Sequence, residues 1–442
     1  MNIASFNDKT LLDLSLPGTH DTLSYDLSLI VSDGGIDGSD KLASLLHDHT
    51  NAVPNDLEDY FRMQGATQGL SITEQLLSGI RFFDLRIMYE ANLNDWYSLH
   101  MMQSNAPATN YFKEIRSFID THPKEIVVLW VSKHGSQCAA GENQYPNTTI
   151  AQKQQYWSEI MTLFDGVLVN NAETLVNTTS IKDMITRNHR VLIYASDYVE
   201  FTNTSPYALD GCLINNQLGP GVSNEPNAKK WEEQQFSTAA TVKQQNKAEN
   251  KFFLVSMATG VPGDQMIGAA FEKFMPGKNR EASHKCVKSF NIPGMNHCPE
   301  TLLDIANLEN YYKQITIEET YNNMLETYNN MLKSEGTWNF PNAIYINGVD
   351  FDGTIRTGLE VLWGALRNTN DAEHAITAYA YVDTLIAANL LNSCSAHNNI
   401  STNDKETCDK MMTTITTRRS KYPATFWDDN EFGRKTKWAD VF

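Results

Sequence analysis

The chain is short of basic side chains, with 35 Lys and Arg against 53 Asp and Glu and a formal net charge of −18 over 442 residues. Because a phosphate backbone is held mainly by clustered Lys and Arg, this balance argues against a nucleic-acid partner. The same negative field opposes bulk attraction to anionic membranes. Any contact with lipid must therefore come from local apolar or basic features.

A targeting pattern, a long apolar run and a compact cysteine framework are missing too. The first ten residues show no basic segment followed by an apolar one, so we expect no secretion signal in the chain as given. The most apolar stretch, residues 375–391, contains Asp383 and is short for a membrane span, so we expect a buried helix and no transmembrane segment. The six cysteines lie far apart. The compartment stays open, with a secreted or peripheral membrane location preferred to a cytoplasmic one, and we expect a monomer.

Short apolar runs recur along the chain and indicate buried strands. They cover residues 11–16, 80–88, 97–102, 126–131, 191–194, 252–257 and 343–349, with a weaker candidate at 212–214. About eight strands alternating with helical patterns predict a mainly parallel sheet closed into a (β/α)8 barrel. We assign residues 1–358 to this barrel and residues 359–442 to a helical C-terminal extension packed against it.

Two helices between these strands are predicted by their local signals. Phe112, Ile115 and Ile119 recur on one helical face of residues 110–122. Ser71 and Glu74 have the spacing of a capping box before a second helix. The polar stretches 22–70 and 135–185 are expected to form loops over one mouth of the barrel, where function often lies.

Chemically useful side chains follow or lie on three of the predicted strands. His20 and Asp21 follow a Pro-Gly turn, Asp84 and Arg86 share a strand face with Phe82, and His100 ends a third strand. Each has an ordinary structural explanation when taken alone, as a loop hydrogen bond or a buried ion pair. Two histidines and an arginine at neighbouring strand ends are more typical of an active site.

This set of residue types suits cleavage of a phosphodiester without a metal or other cofactor. A neutral histidine removes a proton from a nucleophilic hydroxyl, a protonated one supplies a proton to the leaving oxygen, and arginine stabilises the phosphate charge. Each histidine needs a carboxylate that fixes its tautomer. Asp21 can serve one histidine, and Asp350 or Asp352 can serve the other.

Several segments taken together resemble the catalytic X domain of phosphatidylinositol-specific phospholipase C. They are SLPGTHD, SITEQLLSGIRFFDLRI, the following LH, KEIVVLWVSK and the terminal VDF, in order over residues 10–355 and most similar up to Lys133. The resemblance implies a distorted barrel in which the inositol 2-hydroxyl attacks phosphorus, with diacylglycerol and a cyclic inositol phosphate as products. It implies an inositol phospholipid at a membrane surface as the partner.

The resemblance also implies a role for each matching residue. His20 is similar to the general base and His100 to the general acid. The remaining positions are Asp350 paired with His20, Asp21 paired with His100, Arg86 on the phosphate, Asp84 in support and Lys133 as an inositol contact.

The branch of the family follows from the residues beside the first histidine and on the second strand. Calcium-dependent members carry an Asn after the histidine and a Glu-x-Asp pair on the strand, which supply oxygen ligands. This chain has Asp21 and Asp84-Leu85-Arg86 there, so it resembles the metal-independent, bacterial-type branch. An arginine on the fifth strand is missing, which leaves the head group open. Alternatives are a catalytically silent lipid-binding relative and a phosphodiesterase for another head group, including the metal-dependent glycerophosphodiester type.

Overall fold

A computed structural model of the chain describes residues 8–32, 62, 65–100, 102–133, 145, 147–216, 248–249, 251–256 and 343–346. It also describes residues 385–386, 388–389, 406, 410 and 413. Asp350 and Asp352 lie outside the described residues, as does most of the predicted C-terminal extension.

Eleven strands form one sheet in the described part of the chain. They are β1 (Leu16–Thr19), β2 (Leu27–Val31), β3 (Phe82–Glu90), β4 (Asp95–His100), β5 (Met102–Pro107), β6 (Val127–Ser132), β7 (Val191–Ala195), β8 (Leu209–Asp210), β9 (Ile214–Asn216), β10 (Phe252–Ser256) and β11 (Ala343–Ile346). Five helices accompany them: α1 (Ile72–Leu77), α2 (Ala108–Thr121), α3 (Ile150–Leu163), α4 (Ile181–Thr186) and α5 (Tyr198–Thr202).

Eight of the strands are parallel and stand in the spatial order β8, β7, β6, β3, β1, β11, β10, β9. The strands of a closed barrel would follow one another in this order around the ring, and β8 would then pair with β9. These two strands are joined in sequence by the 3-10 turn Gly211–Leu213. No pairing joins them among the described residues, so the observed fold is mixed α/β with an open sheet. The closed barrel stays a prediction.

The strand predicted at 97–102 has a different place from the one expected. Its residues fall in β4 and β5, which with β2 form an antiparallel extension, and β4 pairs with the second half of β3. The first half of β3 pairs in parallel with β1 and β6. The apolar pattern alone does not distinguish a parallel strand from a hairpin partner, so the expectation that His100 ends a barrel strand is corrected.

The strand predicted at 11–16 begins later, at Leu16. The residues before it form the 3-10 turn Leu11–Asp13, whose leucines are buried in the sheet interior instead of pairing as a strand. The stretch 135–185, expected as loop, contains α3 and α4. In α3, Tyr156, Trp157 and Ile160 form a buried face that its overall polarity conceals.

The two helices with clear sequence signals are confirmed. Helix α1 begins at the capping box of Ser71 and Glu74. Helix α2 buries Phe112, Ile115 and Ile119 against the sheet. Both predictions rest on local chemistry, which the rest of the fold does not override.

Alternate strand residues enter two different cores. On β3, Phe82 packs inside the sheet with Trp130 and Tyr194, whereas Phe83 and Leu85 pack towards the helices. Phe82, Asp84 and Arg86 therefore share one face of the sheet, as predicted from the period of two.

Asn389, in the predicted C-terminal extension, contacts the start of the sheet. The side chain of Asn389 accepts a hydrogen bond from the backbone N–H of Ser15 and donates one to the backbone oxygen of Ser15, each at 2.8 Å. This part of the predicted extension therefore contacts the start of β1.

Among the helices in the described residues, none combines the length and the apolar character that crossing a bilayer requires.

Candidate active site

The carboxyl end of β1 places His20 and Asp21 beside the middle of β3. Asp21 has a φ of 45°, a left-handed conformation that Asp tolerates better than most residues. Its backbone N–H donates to Asp84 Oδ2 at 3.2 Å, and the N–H of Thr22 donates to the Asp84 backbone oxygen at 2.9 Å. Asp84 therefore fixes the turn after β1 to β3 through both its side chain and its backbone.

Arg86 lies at the centre of the cluster. Its Nη2 donates to His20 Nε2 at 2.7 Å, its Nε lies 3.3 Å from Asp84 Oδ2, and the same Nε contacts Asp21 Oδ1. All of these side chains are buried or nearly so. The shared strand face predicted for Asp84 and Arg86 therefore carries one connected charge network with His20 and Asp21.

One oxygen of Asp21 contacts both histidines. Asp21 Oδ2 lies 3.1 Å from His20 Nδ1 and 3.2 Å from His100 Nε2. The pairing of Asp21 with His100 agrees with the sequence prediction, and its contact with His20 was not expected. The predicted pairing of Asp350 with His20 lies outside the described residues.

The two imidazoles have different neighbours. His20 Nε2 faces a guanidinium, which can only donate, so Nε2 accepts and the proton is on Nδ1 towards Asp21. His100 Nδ1 lies 2.6 Å from the backbone oxygen of Gly65, and its Nε2 faces Asp21. Both of those partners can only accept a hydrogen bond when Asp21 is ionised, so each ring nitrogen of His100 faces an acceptor.

Burial dominates the ionisation of Asp84. The side chain is fully buried, and this burial raises its pKa to about 6. The positive charge of Arg86 lowers this pKa, and the negative charge of Asp21 raises it. Its Oδ1 has no hydrogen-bond partner among the described residues. The charge of the site therefore changes close to neutral pH.

His20, Asp21 and Asp84 also have the composition of a metal site, since one ligand atom from each lies within 4.8 Å of the others. Arg86 contacts all three residues, at His20 Nε2, Asp21 Oδ1 and Asp84 Oδ2. A guanidinium beside these atoms opposes a second positive charge. The donor set as arranged does not fit a divalent cation.

Lys133 follows the end of β6, where Arg86 and Ser132 are paired in the sheet register, and it is buried. This position is compatible with the prediction that Lys133 lies beside the cluster. Arg190 precedes β7 at the opposite end of the strands and donates to the backbone oxygens of Ile119 and His122. Arg190 therefore holds the end of α2 and does not substitute for the missing arginine of the fifth strand.

Three residues that the sequence analysis did not single out contact the histidines or their backbone. They are Gly65, Thr67 and Gln68, which precede α1. Their contacts use backbone oxygens, so no pattern of charged or apolar residues marks them in a single sequence.

Comparison with known proteins finds a family that is similar to part of the chain. Residues 62–212 match the family described as PI-PLC X. The human PI-PLC X domain-containing protein 1 is 34% identical over 124 residues, which are 28% of this chain and 37% of that protein. This segment of the chain is therefore similar to the PI-PLC X-domain family. The matched segment contains Asp84, Arg86, His100 and Lys133, while His20 and Asp21 precede it.

Two bacterial enzymes share weak overall structural likeness with the chain. Phosphatidylinositol-specific phospholipase C from Listeria monocytogenes covers 82% of this chain and 96% of its own, with 14% identity and a TM-score of 0.39. The corresponding Staphylococcus aureus enzyme covers 81% and 94%, with 12% identity and a TM-score of 0.43. The curated human relative matches this chain over little more than a third of its own length.

Proposed function

We propose that the protein cleaves the phosphodiester of phosphatidylinositol or a related inositol phospholipid by acid/base catalysis with His20 and His100. The observation that carries the proposal is the pair of buried imidazoles around Asp21, of which His20 faces a guanidinium at Nε2 and His100 faces an acceptor at each ring nitrogen. General catalysis needs one group ready to take a proton and one ready to give one.

The reaction proceeds by displacement at phosphorus. The 2-hydroxyl oxygen of inositol bonds to phosphorus while its proton passes to His20 Nε2. The bond from phosphorus to the glycerol oxygen breaks, and that oxygen takes the Nε2 proton of His100. The products are a cyclic inositol phosphate and diacylglycerol, and the two histidines have exchanged protonation states.

The other residues act on charge and orientation. Arg86, which holds His20 Nε2 in the ligand-free site, moves its donors to the non-bridging phosphate oxygens and frees Nε2 to accept a proton. Asp21 orients both imidazoles, and Asp84 orients Asp21 and Arg86. Lys133 contacts the inositol, and Asp350 stays our candidate for a further partner of His20.

We infer that the reaction needs no metal ion, as in the bacterial-type branch. The support is the position of Arg86 among the only carboxylates that the described cluster offers. A calcium-type mechanism would need those oxygens as ligands. Membrane contact, a monomeric state and a secreted or peripheral location belong to the same proposal.

The proposal is tested with phosphatidylinositol vesicles in EDTA, following cyclic inositol phosphate by phosphorus NMR. Wild-type protein should form the cyclic product, and His20→Ala and His100→Ala should each lose about 100-fold or more in rate. Vesicle binding without product would instead support a catalytically silent relative. Activity that EDTA abolishes and Ca²⁺ or Mg²⁺ restores would contradict the metal-independent mechanism.

A further inference from the structure

A four-residue segment, residues 65–68, contacts both histidine positions. The backbone oxygen of Gly65 accepts from His100 Nδ1 at 2.6 Å. Three residues later, Gln68 Nε2 donates to the backbone oxygen of His20 at 2.8 Å. The base and the acid come from separate strands, so this short segment is a direct link between them.

The bond from Gln68 is made where the backbone needs support. The carbonyl that it holds belongs to the peptide between His20 and Asp21, and Asp21 has the left-handed φ of 45°. The hydroxyl of Thr67 adds longer bonds to the oxygens of His20 and Asp21, at 3.3 and 3.4 Å. Rotation of this peptide would turn both the imidazole of His20 and the carboxylate of Asp21.

The burial of Gln68 and the bonds of its neighbours favour a role in fixing this peptide. It is 1% exposed, so water does not readily replace its amide if the side chain is shortened or made apolar. The N–H of Thr67 donates to Ser24 Oγ at 3.0 Å, which fixes the segment to the far side of the same turn. The segment therefore holds the turn after β1 at two points, on either side of Asp21.

We propose that Gln68 is a positioning residue for catalysis, which keeps His20 and Asp21 aligned with His100 through residues 65–68. This inference rests on the proposed function and extends it to a residue that touches no reacting atom. A merely structural glutamine would affect the stability of the fold and leave the histidine geometry and the turnover of the folded protein unchanged.

Gln75 provides the matched control. It is another buried glutamine beside this turn, 0% exposed. Its Nε2 donates to the backbone oxygens of Thr22 and Leu70, and its Oε1 accepts from Thr19 Oγ1 at 2.7 Å. Gln68→Met and Gln75→Met make the same chemical change at similar burial. In Gln68→Met the carbonyl of the proposed base loses a donor, whereas Gln75→Met removes bonds to Thr19, Thr22 and Leu70 and none to His20 itself.

The kinetic test measures kcat and KM for phosphatidylinositol vesicles in EDTA, together with the thermal midpoint of each variant. Gln68→Met should lower kcat about tenfold, the equivalent of one lost hydrogen bond, with KM within about twofold of wild type. Gln75→Met should lower the thermal midpoint at least as much and change kcat by less than about twofold. Equal loss of kcat in both variants would overturn the positioning role.

Imidazole nitrogen NMR on ¹⁵N-histidine protein makes the test independent of turnover. The His20 signals, assigned with His20→Ala, should shift in Gln68→Met and stay in place in Gln75→Met. Wild-type protein without turnover would refute the proposed function, whereas unchanged His20 signals in Gln68→Met would refute the positioning role. If Gln68→Met does not fold, Thr67→Val removes the longer bond to the same carbonyl and should give a smaller shift in the same signals, and no shift there would also refute it.

Discussion

The ionisation of Asp84 yields a prediction about stability. This carboxyl is 0% exposed on β3, and burial raises its pKa from the ordinary value of 3.8 to about 6 against the opposing effect of Arg86. A raised pKa means that the folded protein binds a proton here more tightly than the unfolded chain does. The associated stability is fully present below about pH 4 and is lost as pH rises through about 6.

The magnitude follows from the shift. About two pKa units correspond to about 3 kcal/mol of differential stability. Asp84→Asn keeps a side-chain acceptor for the N–H of Asp21 and has no charge to bury. Its free energy of unfolding relative to wild type should therefore rise by up to about 3 kcal/mol between pH 4 and pH 7.

The assay is urea unfolding of both proteins at pH 4, 5, 6 and 7, followed by the fluorescence of tryptophans such as Trp96 and Trp130, which are buried. Comparison at each pH cancels the carboxyls that titrate elsewhere. If the ion pair with Arg86 outweighed burial, the pKa of Asp84 would be lowered. The variant would then lose stability relative to wild type as pH rises, which would refute the reasoning.

Three further predictions concern single side chains. Arg86→Lys keeps a charge and loses the planar set of donors, so kcat in EDTA should fall about 100-fold; an unchanged kcat would contradict its proposed role. In Gly65→Ala, the new Cβ would overlap the backbone oxygen of His100, so the free energy of unfolding in urea should fall by about 1–3 kcal/mol, and an unaltered value would contradict the packing. Lys153 is fully buried, and its Nζ lies 2.7 Å from Oε2 of the half-exposed Glu200 and 3.4 Å from Oδ2 of the largely buried Asp197. Lys153→Met should therefore lower the free energy of unfolding by about 2 kcal/mol and leave kcat within about twofold, and a large loss of turnover would show that this pair serves the active site.

The sequence predicts the convergence of the cluster because simple periodicities determine it. Asp84 and Arg86 share a face by the period of two, and His20 directly follows a strand. The structure brings these residues together with Asp21 and His100, while their catalytic roles stay proposals. Local signals also suffice for α1 and α2.

The rest depends on contacts that leave no local signal. An antiparallel hairpin, not a parallel strand, brings His100 to the cluster, and the apolar pattern of β4 fits both arrangements. Asp21 contacts two imidazoles because of a turn conformation that the sequence does not specify. Gly65 accepts from His100 through its own backbone oxygen, and Gln68 donates to the backbone oxygen of His20. Each pair is more than thirty residues apart in the chain, so only the tertiary structure identifies these contacts.

The division of work between the two histidines is the central claim, and the leaving group tests it most directly. Rates in EDTA are compared for two soluble inositol phosphodiesters, one with an alkyl alcohol and one with p-nitrophenol as leaving group. Nitrophenolate departs without a proton, so His100→Ala should lose about 100-fold or more on the alkyl substrate and less than about tenfold on the nitrophenyl one. His20→Ala should be slow on both, since each substrate needs its hydroxyl deprotonated. Equal losses on the two substrates in His100→Ala would contradict the assignment of His100 as the general acid.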